Sequence, residues 1–240
     1  MKRILFVLIL FVALAAGTGY AGLFDNVVKG FGQQQSNADN LDDGTIVSGL
    51  KEALSVGTER AVTNVSRTDG YFGNALIKIL MPDKIRKVAD VLKKVGYEKE
   101  VDDFILSMNR AAESAAPKAA SFFGQAVREM TFEDARKIVS GGNTSATEYF
   151  KEKTHDKIYA AFKPIISSRM RDVGVTKSYK DMMGKFESIP FMSSESVDLD
   201  HYVTEKALDG LFIMVGQEEK KIRTDPVARS TDLLKTVFGK

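Results

Sequence analysis

The chain has 240 residues, with 34 Lys and Arg against 32 Asp and Glu and no cysteine. The lack of cysteine excludes disulfides, thiolate metal sites, cysteine nucleophiles, covalent haem attachment and the acylated cysteine of a lipoprotein. Stability therefore has to come from an apolar core, and a chain of this length buries roughly 70% of its unfolded surface.

The N-terminus has the layout of a secretory signal. Lys2 and Arg3 form a basic start, residues 4–16 are apolar without interruption, and Gly19-Tyr20-Ala21 places small residues where a signal peptidase cuts. The apolar stretch is shorter than the roughly 20 residues a spanning helix requires, and no later stretch is long enough to cross a bilayer. Residues 1–21 are expected to be a cleavable signal, with an uncleaved anchor as the alternative. Cleavage removes two of the 34 basic residues and no acid, so the mature chain is formally neutral. That balance argues against nucleic acid as a partner.

Residues 22–43 carry glycines and Gln33-Gln34-Gln35-Ser36-Asn37 with little apolar content after Phe31, the composition of a flexible lead-in. A single helical domain is expected over 44–240. Ile46, Val47, Leu50, Ala53, Leu54, Ala61, Val62 and Val65 recur at spacings of three and four, which predicts a helix over about 45–65. Asp69-Gly70 and Gly73 mark a loop. The apolar run 76–81 is too brief for a helix and is expected to be extended, at most a minimal strand.

Pro82 suits a first helical position, and Ile85, Val88, Ala89, Leu92 and Val95 form a stripe that Gly96 stops. Val101, Phe104, Ile105, Met108, Ala111, Ala112 and Ala115 then share one face, and Ala119, Phe122, Phe123, Ala126, Val127 and Met130 another. Pro117 between them predicts a kink or a break at Ala116. Thr131-Phe132-Glu133-Asp134 opens a short helix closed by Gly141-Gly142, and Ser145-Ala146-Thr147-Glu148 reads as a capping box opening a longer one. Ile158, Ala161, Phe162, Ile165, Ile166, Met170 and Val173 carry the pattern past Pro164 to Gly174. Tyr179, Met182, Met183 and Phe186 repeat it before Pro190. A long helix over about 199–223 turns Val203, Ala207, Leu208, Leu211, Phe212, Met214 and Val215 inward, and Asp225-Pro226 opens a terminal helix. The expected architecture is an all-α, single-domain bundle of many helices, some kinked.

Several phrases carry a family resemblance: Gly49-Leu50-Lys51-Glu52-Ala53-Leu54 with Gly57-Thr58, Val101-Asp102-Asp103-Phe104 with Ser107-Met108-Asn109-Arg110-Ala111-Ala112-Glu113, and Met130-Thr131-Phe132-Glu133-Asp134-Ala135-Arg136. Ala161-Phe162-Lys163-Pro164-Ile165, Val203-Thr204-Glu205-Lys206-Ala207-Leu208-Asp209-Gly210-Leu211-Phe212, and Asp225-Pro226 with Thr231-Asp232-Leu233-Leu234 continue it. The chain resembles the bacterial family catalogued as domain of unknown function 4197 over about 44–239. The resemblance implies an exported bacterial domain, hence a periplasmic location, and supplies no activity or catalytic residue.

No constellation marks an enzyme. His155 and His201 are the two histidines; the best local metal pair, His201 with Glu205, lacks the third and fourth ligands that zinc sites use, so no metal and no cofactor is expected. There is no Gly-x-Ser-x-Gly elbow and no Gly-rich phosphate loop. The acid pairs Asp102-Asp103 and Glu133-Asp134 read as acids of first helical turns, favoured there by the helix dipole.

Asn109, Arg110 and Glu113 form the strongest polar set, with an internal ion pair that fixes helix packing as the favoured reading and a cradle for an anionic group as the other. The basic cluster Lys220, Lys221, Arg223, Arg229 and Lys235 is interrupted by acids and reads as a solvated face. Met108, Phe122, Phe123, Met182, Met183 and Phe212 are candidates to border a cavity for an apolar ligand or a partner helix, set against the alternative of a filled core. A non-catalytic binding protein is thus favoured over a hydrolase or other enzyme with an acid-based site.

Overall fold

In a computed structural model the described residues are 43–172, 175–188 and 197–225. The fold is all-α. The signal, most of the lead-in, the stops at Gly174 and Pro190, and the helix expected after Pro226 lie outside the described residues.

The helices are α1 (Asp43–Ser66), α2 (Asp83–Lys94), α3 (Glu98–Ala115), α4 (Ala119–Glu129), α5 (Phe132–Ser140), α6 (Ser145–Asp172), α7 (Val175–Glu187) and α8 (Leu199–Thr224). α6 packs along both α8 and α3, and α1 lies against α8 and α4, so the longest helices share one core. Its fully buried side chains include Phe104, Phe123, Phe150, Phe162 and Ile166. Phe123 meets Phe150 edge to face at 5.2 Å and Phe212 at 6.1 Å between ring centres, an arrangement that puts the positive edge of one ring on the negative face of another.

Local signals set most of the boundaries. Pro117 divides α3 from α4 through one 3-10 turn, Ala116–Lys118, where an α-helix would need a hydrogen bond that proline cannot give. Gly96 takes φ +95° after α2, a left-handed conformation that glycine adopts without a Cβ clash. Thr131 caps α5: its side chain accepts from the Asp134 amide at 3.1 Å while its own amide donates back to Asp134 at 3.0 Å. The Thr131 hydroxyl, which donates to the Asp134 carboxylate at 2.7 Å, and then the Thr131 amide hold that carboxyl below its ordinary pKa.

Four details at the starts and ends of helices differ from the sequence expectation. Pro82 is the cap residue before α2 rather than its first helical residue. Val95 is 56% exposed, because α2 has ended and the chain is turning away from the core. Asp102 and Asp103 lie in the second turn of α3, where Asp102 pairs with Lys93 at 2.7 Å and Asp103 with Lys99. Ser145 does not form a capping box; its hydroxyl donates to the Gly142 carbonyl at 3.1 Å.

The cap of α6 comes from another helix instead. The two oxygens of Glu219, on α8, accept the Ala146 amide at 3.0 Å and the Thr147 amide at 2.9 Å, and the Thr147 hydroxyl adds a third bond at 2.7 Å. A carboxylate placed there satisfies amides that the first turn of a helix leaves unpaired and lies at the positive end of its dipole. Arg223, one turn along α8, pairs with Glu219 at 2.9 Å.

Candidate functional site

The polar set on α3 fastens a strap formed by residues 69–82. Asp69 takes φ +63° after α1, and its carboxylate accepts from Arg110 at 2.7 Å. Glu113 accepts the Tyr71 and Phe72 amides at 3.1 and 3.3 Å through one oxygen and Arg110 at 2.6 Å through the other. One turn earlier on α3, Asn109 acts as a surrogate strand partner for the extended segment: it accepts the Ile79 amide and donates to the Ile79 carbonyl, both at 2.8 Å. Residues 75–77 form a turn rather than the extended chain expected there, with the Ile77 and Lys78 amides donating to the Asn74 carbonyl at 3.1 and 2.8 Å; beyond it Ile79 and Met81 are buried while Leu80 is 54% exposed, the period-two pattern of extended chain.

From Asn74 to Leu80 the strap runs antiparallel along α8, past Met214, Gly210 and Tyr202 in turn. The Asn74 side-chain nitrogen Nδ2 is 3.5 Å from the Met214 sulfur, the Tyr71 hydroxyl donates to the Ala207 carbonyl at 2.6 Å, and the Tyr202 hydroxyl donates to the Leu80 carbonyl at 3.1 Å. Burial pushes the Tyr71 phenol above its ordinary pKa, and the nearby Glu113 carboxylate adds to the shift. The fully buried Asn109 and the nearly buried Glu113 thus direct their polar atoms to the strap. Arg110, with about a third of its side chain exposed, bridges Asp69 and Glu113.

The histidines meet partners across the α6–α8 seam. The Tyr159 hydroxyl and His201 Nδ1 are 2.8 Å apart, and His155 Nε2 is 3.7 Å from Glu205. The i, i+4 pair of His201 with Glu205 is therefore replaced by two cross-helix rungs. His155 also stacks on Phe212 with ring centres 6.3 Å apart.

The other face of this seam opens into a groove of about 530 Å³ between the start of α6 and the middle of α8. Asp209, Phe212, Ile213, Gly216, Gln217 and Lys220 contribute to it from α8, at spacings of three and four that put them on one helical face. Thr144, Thr147 and Lys151 supply the opposite wall. Its lining surface is mainly apolar: Ile213 is 44% exposed, Phe212 forms the floor, and Gly216 leaves the helix without a side chain beside Thr147. The one acid, Asp209, is paired with Lys206 at 3.1 Å.

The family model described as a protein of unknown function, DUF4197, matches residues 40–239. The chain belongs to this family. Searches of curated proteins and of solved structures give no match. DUF4197 names a family without an established activity, so a functional reading of this member rests on its own geometry.

Of the six apolar candidates, Phe212 borders the groove of this DUF4197 member. Met108 and Phe123 are fully buried, Met182 and Met183 nearly so, and Phe122 is half-buried against the core. Lys151, Ile213 and Gly216 were not singled out by sequence reasoning, and Lys220 was read there only as part of a solvated basic cluster. Ile213 carried a legible signal, since it is an isoleucine outside the inward stripe of its own helix.

Proposed function

We propose that this DUF4197 domain is a non-catalytic binding protein of the cell envelope that holds a small apolar ligand in the α6–α8 groove. The observation that carries the reading is the groove itself. Its volume falls within the range of small-molecule sites, and its floor is apolar while its rim is polar. A partner helix fits it less well. Phe212, Ile213 and Gly216 span a single turn, roughly 6 Å of helix rise, whereas a docked helix is recognised by anchors spread over two turns or more. No nucleic acid partner is proposed, since the chain left after cleavage is formally neutral.

Native mass spectrometry of protein purified without detergent tests the groove. The expected spectrum shows an added mass that denaturation removes and that Gly216→Leu abolishes, because a leucine there fills the floor. Apo protein alone, or an adduct unchanged in Gly216→Leu, overturns the reading; co-purification of a polypeptide in its place favours a partner helix.

The envelope location rests on the N-terminal signal. Intact-mass measurement of the protein from its native source is expected to give a chain beginning at Gly22 in the soluble periplasmic fraction. A chain retaining residues 1–21 and sedimenting with membranes would identify that segment as an anchor.

A further inference from the structure

We infer that the ligand of the α6–α8 groove is an amphiphile with an anionic head, carboxylate or phosphate, held by Lys151 and Lys220 while its apolar tail lies on Phe212 and Ile213. The inference rests on the groove being a binding site, and it adds the charge of the occupant.

Three observations converge. The first is the charge of the rim. Lys151 and Lys220 line the groove from opposite helices, and among the described residues neither ammonium group has a carboxylate partner. The only acid of the lining, Asp209, is engaged by Lys206, so it does not offset them. An apolar floor between two uncompensated cations favours a ligand that is apolar along its length and negative at one end.

The second observation removes the competing anion site. The start of α6 points its amides toward this end of the molecule, and free helix amides bind anions readily. Here Glu219 occupies the Ala146 and Thr147 amides, and the Glu148 amide donates to the Thr144 carbonyl at 2.8 Å. An anionic head is thereby left to the lysines. The third is the geometry of Gly216. A Cβ built there would stand 3.5 Å from the Thr147 hydroxyl oxygen and 3.8 Å from the Thr147 methyl, in ordinary contact, so the gap at Gly216 is a notch one side chain deep rather than a clash that glycine avoids. That notch continues the apolar surface of Ile213 and Phe212 toward Lys220.

The test uses displacement of Nile red, an uncharged apolar dye, from the mature protein by dodecanoate and by dodecanol. Dodecanoate is expected to displace the dye at about tenfold lower concentration, the sum of two exposed charge contacts at about 0.7 kcal/mol each. Lys151→Gln with Lys220→Gln is expected to bring dodecanoate to the level of dodecanol while leaving dodecanol unchanged. Both lysines are exposed, so an unaltered melting temperature accompanies the loss. Gly216→Leu is expected to block the dye and both competitors. Equal displacement by the two competitors, or full dodecanoate affinity in the double variant, overturns the anionic head and leaves the apolar groove standing. Dye binding that is absent or insensitive to Gly216→Leu overturns the groove itself.

Discussion

Replacing Glu113 by alanine is expected to cost about 3–4 kcal/mol of stability. The carboxylate is nearly buried and serves three donors at once: the Tyr71 amide, the Phe72 amide and the Arg110 guanidinium. Alanine removes the acceptor and leaves the amide of a fully buried residue, Tyr71, without a partner, and an orphaned buried donor carries its whole desolvation cost. Arg110 keeps Asp69 and is a third exposed, so its share of the loss is small. Glu113→Gln retains an oxygen for the two amides and is expected to cost less than half as much. Urea unfolding followed by circular dichroism separates the cases. Equal midpoints for Glu113→Ala and the wild type would show that the strap does not depend on this anchor.

Gly210→Ala is expected to destabilise by about 2 kcal/mol although alanine is the better helix former. A Cβ at position 210 would lie 2.7 Å from Cε1 of Tyr71 and 3.1 Å from Cβ of Ile77. Neither neighbour can yield cheaply. The Tyr71 ring is fully buried and tied through its hydroxyl to Ala207, and the Ile77 contact is made at its Cβ, next to the backbone. Overpacking of this kind costs about 1–3 kcal/mol, against a propensity gain of at most about 1. Gly216→Ala, in the same helix, meets ordinary contacts at 3.5 Å and is expected to stabilise by up to about 1 kcal/mol. Denaturant midpoints moving in opposite directions at unchanged slope verify the pair. A stabilised Gly210→Ala would mean that the strap does not press on α8 at this glycine.

Both substitutions act on the strap, and the strap shows where the sequence stopped being legible. Local signals are written in neighbouring residues, so they survive without a fold. The apolar spacing over 45–65 gives α1, Pro117 ends α3, and Thr131 with Asp134 opens α5, because each depends on backbone geometry within one or two turns. Only the second half of the run at 76–81 proves extended, with Ile79 and Met81 buried on either side of the exposed Leu80, whereas Leu76 and Ile77 belong to a turn closed on the Asn74 carbonyl.

What pairs with that run was not local. Asn109 and Glu113 could be recognised as an exceptional polar set on an apolar helix, but that they would hold the backbone of residues about 30 and 42 positions earlier depends on which helices become neighbours. The same holds for Glu219. Its sequence context reads as part of a solvated mixed-charge face, yet the packing of α8 on α6 turns it into the cap of another helix and displaces the box expected at Ser145.

The groove has the same origin. Ile213, Gly216 and Lys220 share one face of α8 by period alone, but whether that face meets solvent, lipid or protein is settled only when α6 covers part of it and leaves the rest open. Helical periodicity determines which residues lie together on an element. The meeting of elements far apart in the chain determines which of those faces stays uncovered, and here it left an apolar floor between Lys151 and Lys220.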